Sequence, residues 1–205
     1  MKALCVYCGS SPGGDLVYRS AAAGLGALLA QRDITLVYGG GHVGLMGTVA
    51  DATLAAGGSV IGVITEHLLD KELGHPGLTE LRVVATMHER KAMMAELADA
   101  FVALPGSIGT LEEIAEVMVW TQLGLHSKSC AFLNVAGYYD PLIRQLDQMV
   151  SERFLHLEHR ESLIVAATPQ DLLERIARHE VEFHDKWLDR DRGQVPESGC
   201  AEPPS

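Results

Sequence analysis

The chain has 205 residues, 47% of them hydrophobic, enough to bury a substantial core, and one domain is the first expectation. A formal net charge of −11 excludes broad non-specific nucleic-acid binding, which needs a basic surface; a phosphate-bearing partner must be held by a local, shaped site. No apolar run reaches the length of a membrane span and the opening MKALCVYCGS lacks the layout of a signal peptide, so a cytoplasmic protein with no membrane partner is expected.

Short, β-rich apolar runs alternate with longer helical patterns. In chain order the expected elements are a strand at Ala3–Tyr7, a helix at Leu16–Arg32, a strand at Ile34–Tyr38 and a helix at Leu45–Ala56. A strand at Ser59–Ile64 follows, then a long polar connection over 65–80 that could act as a flap, and a strand at Leu81–Val84. The second half continues with a helix at Glu89–Asp99, a strand at Ala100–Leu104, a helix at Leu111–Leu123 and a strand at Ser129–Asn134. A helix at Tyr138–Glu152, a strand at Leu163–Val165 and a helix at Pro169–His179 complete the series. This rhythm is that of βαβ units. It predicts the α/β class: a Rossmann-like, doubly wound, mostly parallel sheet of about seven strands flanked by helices, one domain over residues 1–185. The polar, Pro/Gly-rich end, residues 186–205, is expected to be a disordered tail.

Glycine-rich stretches follow three of the strands: GSSPGG (9–14), GGGHVGLMG (39–47) and PGSIGT (105–110). Glycine allows close backbone approach, so successive N–H groups can converge on an oxyanion, and a helix starting there adds its dipole. In an open parallel sheet these loops share the carboxyl edge, where ligands bind. One such loop can be a mere tight turn; three together favour a nucleotide-sized polar pocket. Gly39, Gly41 and Gly44 also satisfy G-x-G-x-x-G, with Glu66 near the distance of a ribose-binding acid. The match falls after the second strand and Glu66 opens an irregular segment, so a dinucleotide site is disfavoured. Cys5 and Cys8 form C-x-x-C, but Cys5 lies within a strand rather than at a helix start, which favours buried, inert thiols over a redox pair.

After the third glycine loop the chain sets two carboxylates, Glu112 and Glu113. With a helix starting near Thr110, Glu113 lies on the same face as Thr110 while Glu112 points about 100° away, towards solvent. Leu111, Ile114, Ala115 and Met118 are expected to face the sheet. An acid in a first helical turn can simply complement the dipole. MHERKAMM (87–94) adds Arg90 and Lys91 at the same edge, where Arg90 could pair with a carboxylate or phosphate, or both cations could lie on a solvated face. His88 reads as a capping or structural residue rather than a base.

YGGGHVGLMG, MHERKAMM and PGSIGTLEE, in this order, together with WTQLGLHSK and LNVAGYYDPL, resemble the LOG (Lonely Guy) family, cytokinin riboside 5′-monophosphate phosphoribohydrolases long labelled lysine decarboxylases. The resemblance runs from about Cys5 to about Glu152. It implies hydrolysis of the N-glycosidic bond of a purine nucleoside 5′-monophosphate to free base and ribose 5-phosphate, with no cofactor and no metal, by a homodimer. By similarity Arg90 and Glu113 are the catalytic pair. Gly106, Ser107, Ile108, Gly109 and Thr110 hold the phosphate, and Ser10, Gly40, Gly41, Met87 and Lys91 complete the substrate-binding set. The family signature P-G-G-x-G-T-x-x-E departs here at one place: Ser107 stands for the second glycine, a change penalised if that position needs φ > 0.

A non-catalytic nucleotide sensor or carrier on the same fold is the alternative; a nicotinamide oxidoreductase is more remote. His156 and His159 have H-x-x-H spacing, read as solvated or capping rather than metal-binding without a third ligand. Trp120 suits either the core or a dimer contact.

Overall fold

In the computed structural model, which describes residues 1–71 and 73–180, the apolar runs align as one sheet because both of their faces are covered. The strands are β1 (Ala3–Tyr7), β2 (Thr35–Tyr38), β3 (Val60–Thr65), β4 (Glu80–Val84), β5 (Ala100–Ala103), β6 (Ser129–Leu133) and β7 (Ile164–Ala166). They run in the order β4-β3-β2-β1-β5-β6-β7, and every pairing is parallel. Alternation along β1 assigns the layers. Leu4 and Val6 join one core with α1 (Leu16–Gln31), α2 (Gly44–Ala55) and α8 (Pro169–Arg178). Cys5 and Tyr7 join the opposite core with α4 (Met87–Leu97), α5 (Ile108–Gln122) and α6 (Asp140–Ser151).

The strand order reverses between β1 and β5, which pair with each other through Leu4–Tyr7 and Ala100–Ala103. Adjacent loops at such a reversal leave in opposite directions and open a crevice at the carboxyl edge. The loops after β1 and β5 therefore meet: Gly9 N–H donates to Pro105 O at 3.2 Å.

The expected elements are present with shifted ends, and two short helices escaped the pattern, α3 (Glu66–Leu69) and α7 (Leu157–Glu161). α4 begins earlier than its apolar pattern because Thr86 caps it: Thr86 Oγ1 accepts from Glu89 N–H while Glu89 reaches back to the Thr86 N–H. Thr86, rather than His88, is the cap. On α5 the expected apolar stripe is rotated. Thr110, Ile114 and Val117 are buried against the sheet, whereas Leu111 and Ala115 face outward. The helix is apolar on two sides, so periodicity alone could not choose which faces in. The expected tail at 186–205, and the last residues of the expected domain, lie outside the described residues.

Candidate active site

Three glycine loops and the 65–80 segment enclose a cavity of about 290 Å³ at the switch point, at the lower end of the range for small-molecule sites. One wall is polar: Ser10, Ser107, Gly109, Thr110 and Glu113. The facing wall is apolar: Val43, Met46, Ile64, Leu68, Leu73 and Met87. Leu68 and Leu73 come from the segment read as a flap. It is tied down rather than loose: His42 N–H donates to Leu73 O, His75 N–H donates to Gly40 O at 2.9 Å, and Gly41 and Gly74 form an isolated antiparallel bridge. His75 is buried and its Nε2 lies 3.0 Å from Asp51 Oδ1 on α2.

At the cavity wall Arg90 Nη1 donates to Glu113 Oε1 at 3.2 Å, and both side chains are largely buried, 8% and 13% exposed. Two further guanidinium donors go to backbone, and Nη1 also lies 3.9 Å from the Met87 sulfur. Nε donates to Val63 O at 2.9 Å and Nη2 to Gly39 O at 3.3 Å. That approach demands glycine at 39, where a Cβ would stand 2.0 Å from Nη2. Arg90 is thus fixed by β3 and the second glycine loop before it meets the carboxylate. Burial raises the Glu113 pKa, Arg90 opposes that, and Glu112 adds to it.

Lys91 turns the other way. Its ammonium, 9% exposed, is bound by Glu112 and by Glu116 at 3.2 Å on the next turn of α5. The Glu112 hydrogen bond raises the Lys91 pKa, holding the amine protonated, the opposite of what a Schiff-base lysine needs. Glu112, expected to point to solvent, is half-exposed, pairs with Lys91 and also lines the cavity beside Glu113. Of the expected substrate-binding residues, Ser10, Gly41, Met87, Ser107, Gly109 and Thr110 wall the cavity; Gly40, Lys91, Gly106 and Ile108 do not. Ile108 projects outward at 82% exposure. Gly106 lies just behind the wall, packed so closely that a Cβ would stand 2.1 Å from Thr110 Oγ1.

The two helix N-termini at the cavity are not equivalent. At α2, Leu45 and Met46 N–H both donate to Gly9 O, so its first amides are committed internally. At α5, the cap residue Ser107 has φ −99° and ψ −161°, extended backbone that any residue adopts, and its hydroxyl makes no cap bond. Serine in place of the signature glycine is therefore unstrained and leaves a hydroxyl at the wall. The α5 N-terminus is the better anion seat.

Residues the sequence did not assign to the site include Cys8, Met46, Leu68 and Leu73, all in the wall. Their signal was position alone: Cys8 directly follows the first strand, and the leucines sit in the segment that lacked a pattern. Glu66 is exposed in the first turn of α3 and is absent from the wall. Cys5 and Cys8 are buried free thiols on opposite faces of the sheet, their pKa values pushed well up by burial. Among the described residues no group of three or more His, Cys, Asp or Glu side chains is placed to hold a metal, and no helix is long and apolar enough to cross a membrane.

Residues 46–176 match a family model described as possible lysine decarboxylase. The cytokinin riboside 5′-monophosphate phosphoribohydrolase LOG of Oryza sativa subsp. japonica is 47% identical over 89% of this chain and 75% of its own length. The corresponding LOG protein of Arabidopsis thaliana is 42% identical over 98% and 93%. The chain belongs to the LOG family. Among solved structures, a molybdenum cofactor binding protein from Rippkaea orientalis shares 21% identity with a TM-score of 0.65, covering 87% of this chain and 97% of its own. A molybdenum cofactor carrier protein from Chlamydomonas reinhardtii shares 17% with a TM-score of 0.64, covering 86% and 96%. At those identities the likeness is one of fold. The LOG relationship covers both the segment carrying Arg90 and the loop carrying Glu113.

Proposed function

We propose that this LOG protein hydrolyses the N-glycosidic bond of purine nucleoside 5′-monophosphates, AMP or a cytokinin riboside 5′-monophosphate, releasing the base and ribose 5-phosphate. The observation that carries the reading is Glu113: a largely buried carboxylate on the cavity wall, one helical turn past an N-terminus suited to phosphate, held by an arginine with no other charged partner among the described residues. Cleavage builds positive charge on the ribose, so a carboxylate facing the anomeric carbon stabilises the transition state more than the neutral sugar. It can also orient or deprotonate the attacking water.

A cradle for negative charge beside a negative charge is then a single device. The Ser107–Thr110 turn anchors the 5′-phosphate, and the three-residue step to Glu113 spans about one sugar. The apolar wall of Met46, Leu68, Leu73 and Met87 receives the base. Arg90 acts on Glu113, to which Nη1 donates, while Nε and Nη2 tie the guanidinium to Val63 O and Gly39 O and fix its approach.

The reading extends to a homodimer in the cytoplasm. Ile108, Leu111, Ala115, Val119 and Leu123 form an exposed apolar stripe along α5, and two antiparallel copies of that helix would bury it around a two-fold axis. Trp120 instead packs half-buried on the core beside His126. The test incubates the purified protein with AMP, GMP, CMP and an isopentenyl-adenine nucleotide and measures free base. Nucleotide binding with no base released from any of them refutes the hydrolase and leaves a carrier.

A further inference from the structure

Consecutive tyrosines, Tyr138 and Tyr139, both reach the loop read as the phosphate seat, Tyr138 from an open cavity it shares with Ser10 and Ser107 and Tyr139 from the core. Tyr139 Oη donates to Leu104 O at 2.6 Å, a buried bond, and Tyr138 Oη donates to Gly106 O at 2.5 Å. Between them, Pro105 O accepts from Gly9 N–H. The carbonyls of Leu104, Pro105 and Gly106 are therefore each captured by a donor from outside the loop. In a trans peptide the C=O and the following N–H point in opposite directions, and no described peptide is cis. Each captured carbonyl accordingly fixes the next amide: Gly9 sets the direction of the Gly106 N–H, and Tyr138 sets that of the Ser107 N–H.

The turn that presents the tyrosines is held under strain. Ala136, a non-glycine residue, sits in the left-handed region at φ 52°, ψ 29°, which side chains with a Cβ disfavour. Asn134 maintains it, accepting from Tyr139 N–H at 2.7 Å and donating to Asp140 Oδ1 at 2.7 Å. The Tyr138 ring is wedged edge-on between Tyr139 and Tyr18, with centroids 5.0 Å and 5.8 Å away. Strain of this kind persists where the surroundings over-determine it, and here it aims two hydroxyls at one loop.

We infer that Tyr138 is a positioning residue for phosphate binding: its hydroxyl holds the Gly106 carbonyl away from the cavity so that the Ser107 amide stays directed at the anion, while Tyr139 anchors the strand end beneath. This rests on the reading of the α5 turn as the phosphate seat. Without the hydroxyl, the Gly106–Ser107 peptide can rotate and present a carbonyl oxygen to the phosphate, replacing attraction with repulsion.

The experiment compares Tyr138→Phe, which keeps the ring and its edge contacts, with wild type and with Tyr18→Phe as the neighbouring-ring control. Calorimetry measures binding of inorganic phosphate and ribose 5-phosphate; turnover is followed on AMP and on adenosine, and thermal midpoints are recorded. For Tyr138→Phe, phosphate and ribose 5-phosphate bind roughly three- to tenfold more weakly and KM for AMP rises by the same factor, the scale of one lost hydrogen bond. Its kcat for AMP and its behaviour towards adenosine stay at wild-type values and its midpoint falls only slightly, while all properties of Tyr18→Phe stay at wild-type values. Wild-type phosphate affinity in Tyr138→Phe overturns the inference; so do equal losses for AMP and adenosine, which mark a merely structural role. Base release does not enter the calorimetric comparison, so a wild-type protein that binds phosphate without hydrolysing AMP refutes the hydrolase and leaves the judgement on Tyr138 intact. A wild type that binds neither phosphate nor ribose 5-phosphate refutes the phosphate seat, and the inference with it.

Discussion

Replacing Glu113 by Gln removes one charge and little else. The amide oxygen can still accept from Arg90 Nη1, the volume is unchanged, and the turn before it keeps its geometry. The carboxylate is largely withdrawn from water, so its interaction with charge growing on the ribose is weakly screened. A unit charge about 4 Å from a developing cation, at an effective dielectric constant near 20, contributes about 4 kcal/mol. A transition state with partial charge realises part of that, which corresponds to a loss on the order of 10²–10³ in kcat. Nucleotide affinity should survive, because the phosphate seat lies a turn away. The assay measures free adenine from AMP by chromatography, with nucleotide affinity by calorimetry, on Glu113→Gln and on Glu116→Gln. The latter makes the same charge change one turn further along, where the carboxylate serves Lys91. Turnover of Glu113→Gln within about tenfold of wild type, or a matching loss in Glu116→Gln, refutes the assignment of charge stabilisation to residue 113.

The raised Glu113 pKa also makes a prediction for stability. Burial penalises the ionised form in the folded state, so the group favours folding most at low pH, and that contribution is lost as pH rises through its folded-state pKa. Glu113→Gln should therefore melt higher than wild type at pH 7, with the gap closing as pH falls into the ordinary carboxylate range; a lower midpoint at pH 7 contradicts this. Lys91→Met leaves Glu112 and Glu116 unpaired at a partly buried site and should destabilise by roughly 1–3 kcal/mol, between exposed and fully buried pairs, in urea titration. Its KM for AMP should barely change, and a large increase would return Lys91 to the binding site. Gly106→Ala forces a Cβ to within 2.1 Å of Thr110 Oγ1 and 2.9 Å of Gly9 N, and should abolish nucleotide binding at a stability cost of about 1–3 kcal/mol; a variant that still binds AMP disproves the tight fit. In a Cys200→Ser background, thiol reagents at pH 8 should label Cys5, Cys8 and Cys130 slowly until denaturant is added, since burial raises all three thiols, Cys130 to about 12. Fast labelling of Cys8 would show that the cavity admits the reagent.

How much of this was legible in the sequence follows from which forces are local. Strand and helix alternation, the glycine loops and the closeness of a glycine-rich turn to a carboxylate could all be read in sequence, because hydrophobic period, backbone freedom and helix spacing act over a few residues. The α4 start was missed by two residues, although Thr86 and Glu89 carry a capping box that was there to be read. Other features had no local signal. Nothing in MHERKAMM says that Arg90 turns inward to Val63 O, Gly39 O and Glu113 while its neighbour Lys91 turns to Glu112 and Glu116; adjacent helical residues diverge by about 100°, and only the docking of α4 against α5 decides which finds the cavity. The rotation of α5, with Ile114 and Val117 inward and Leu111 and Ala115 outward, was set the same way, by the sheet beneath it. The 65–80 segment lacked a periodic pattern because its own order is one short helical turn, and the rest is held by Gly40, Gly41 and His42 from the second glycine loop. The sequence by itself determined the elements and the chemistry available at one sheet edge. Tertiary structure decided which carboxylate, which cation and which amides meet there, because long-range packing and hydrogen bonds join residues that the chain keeps far apart.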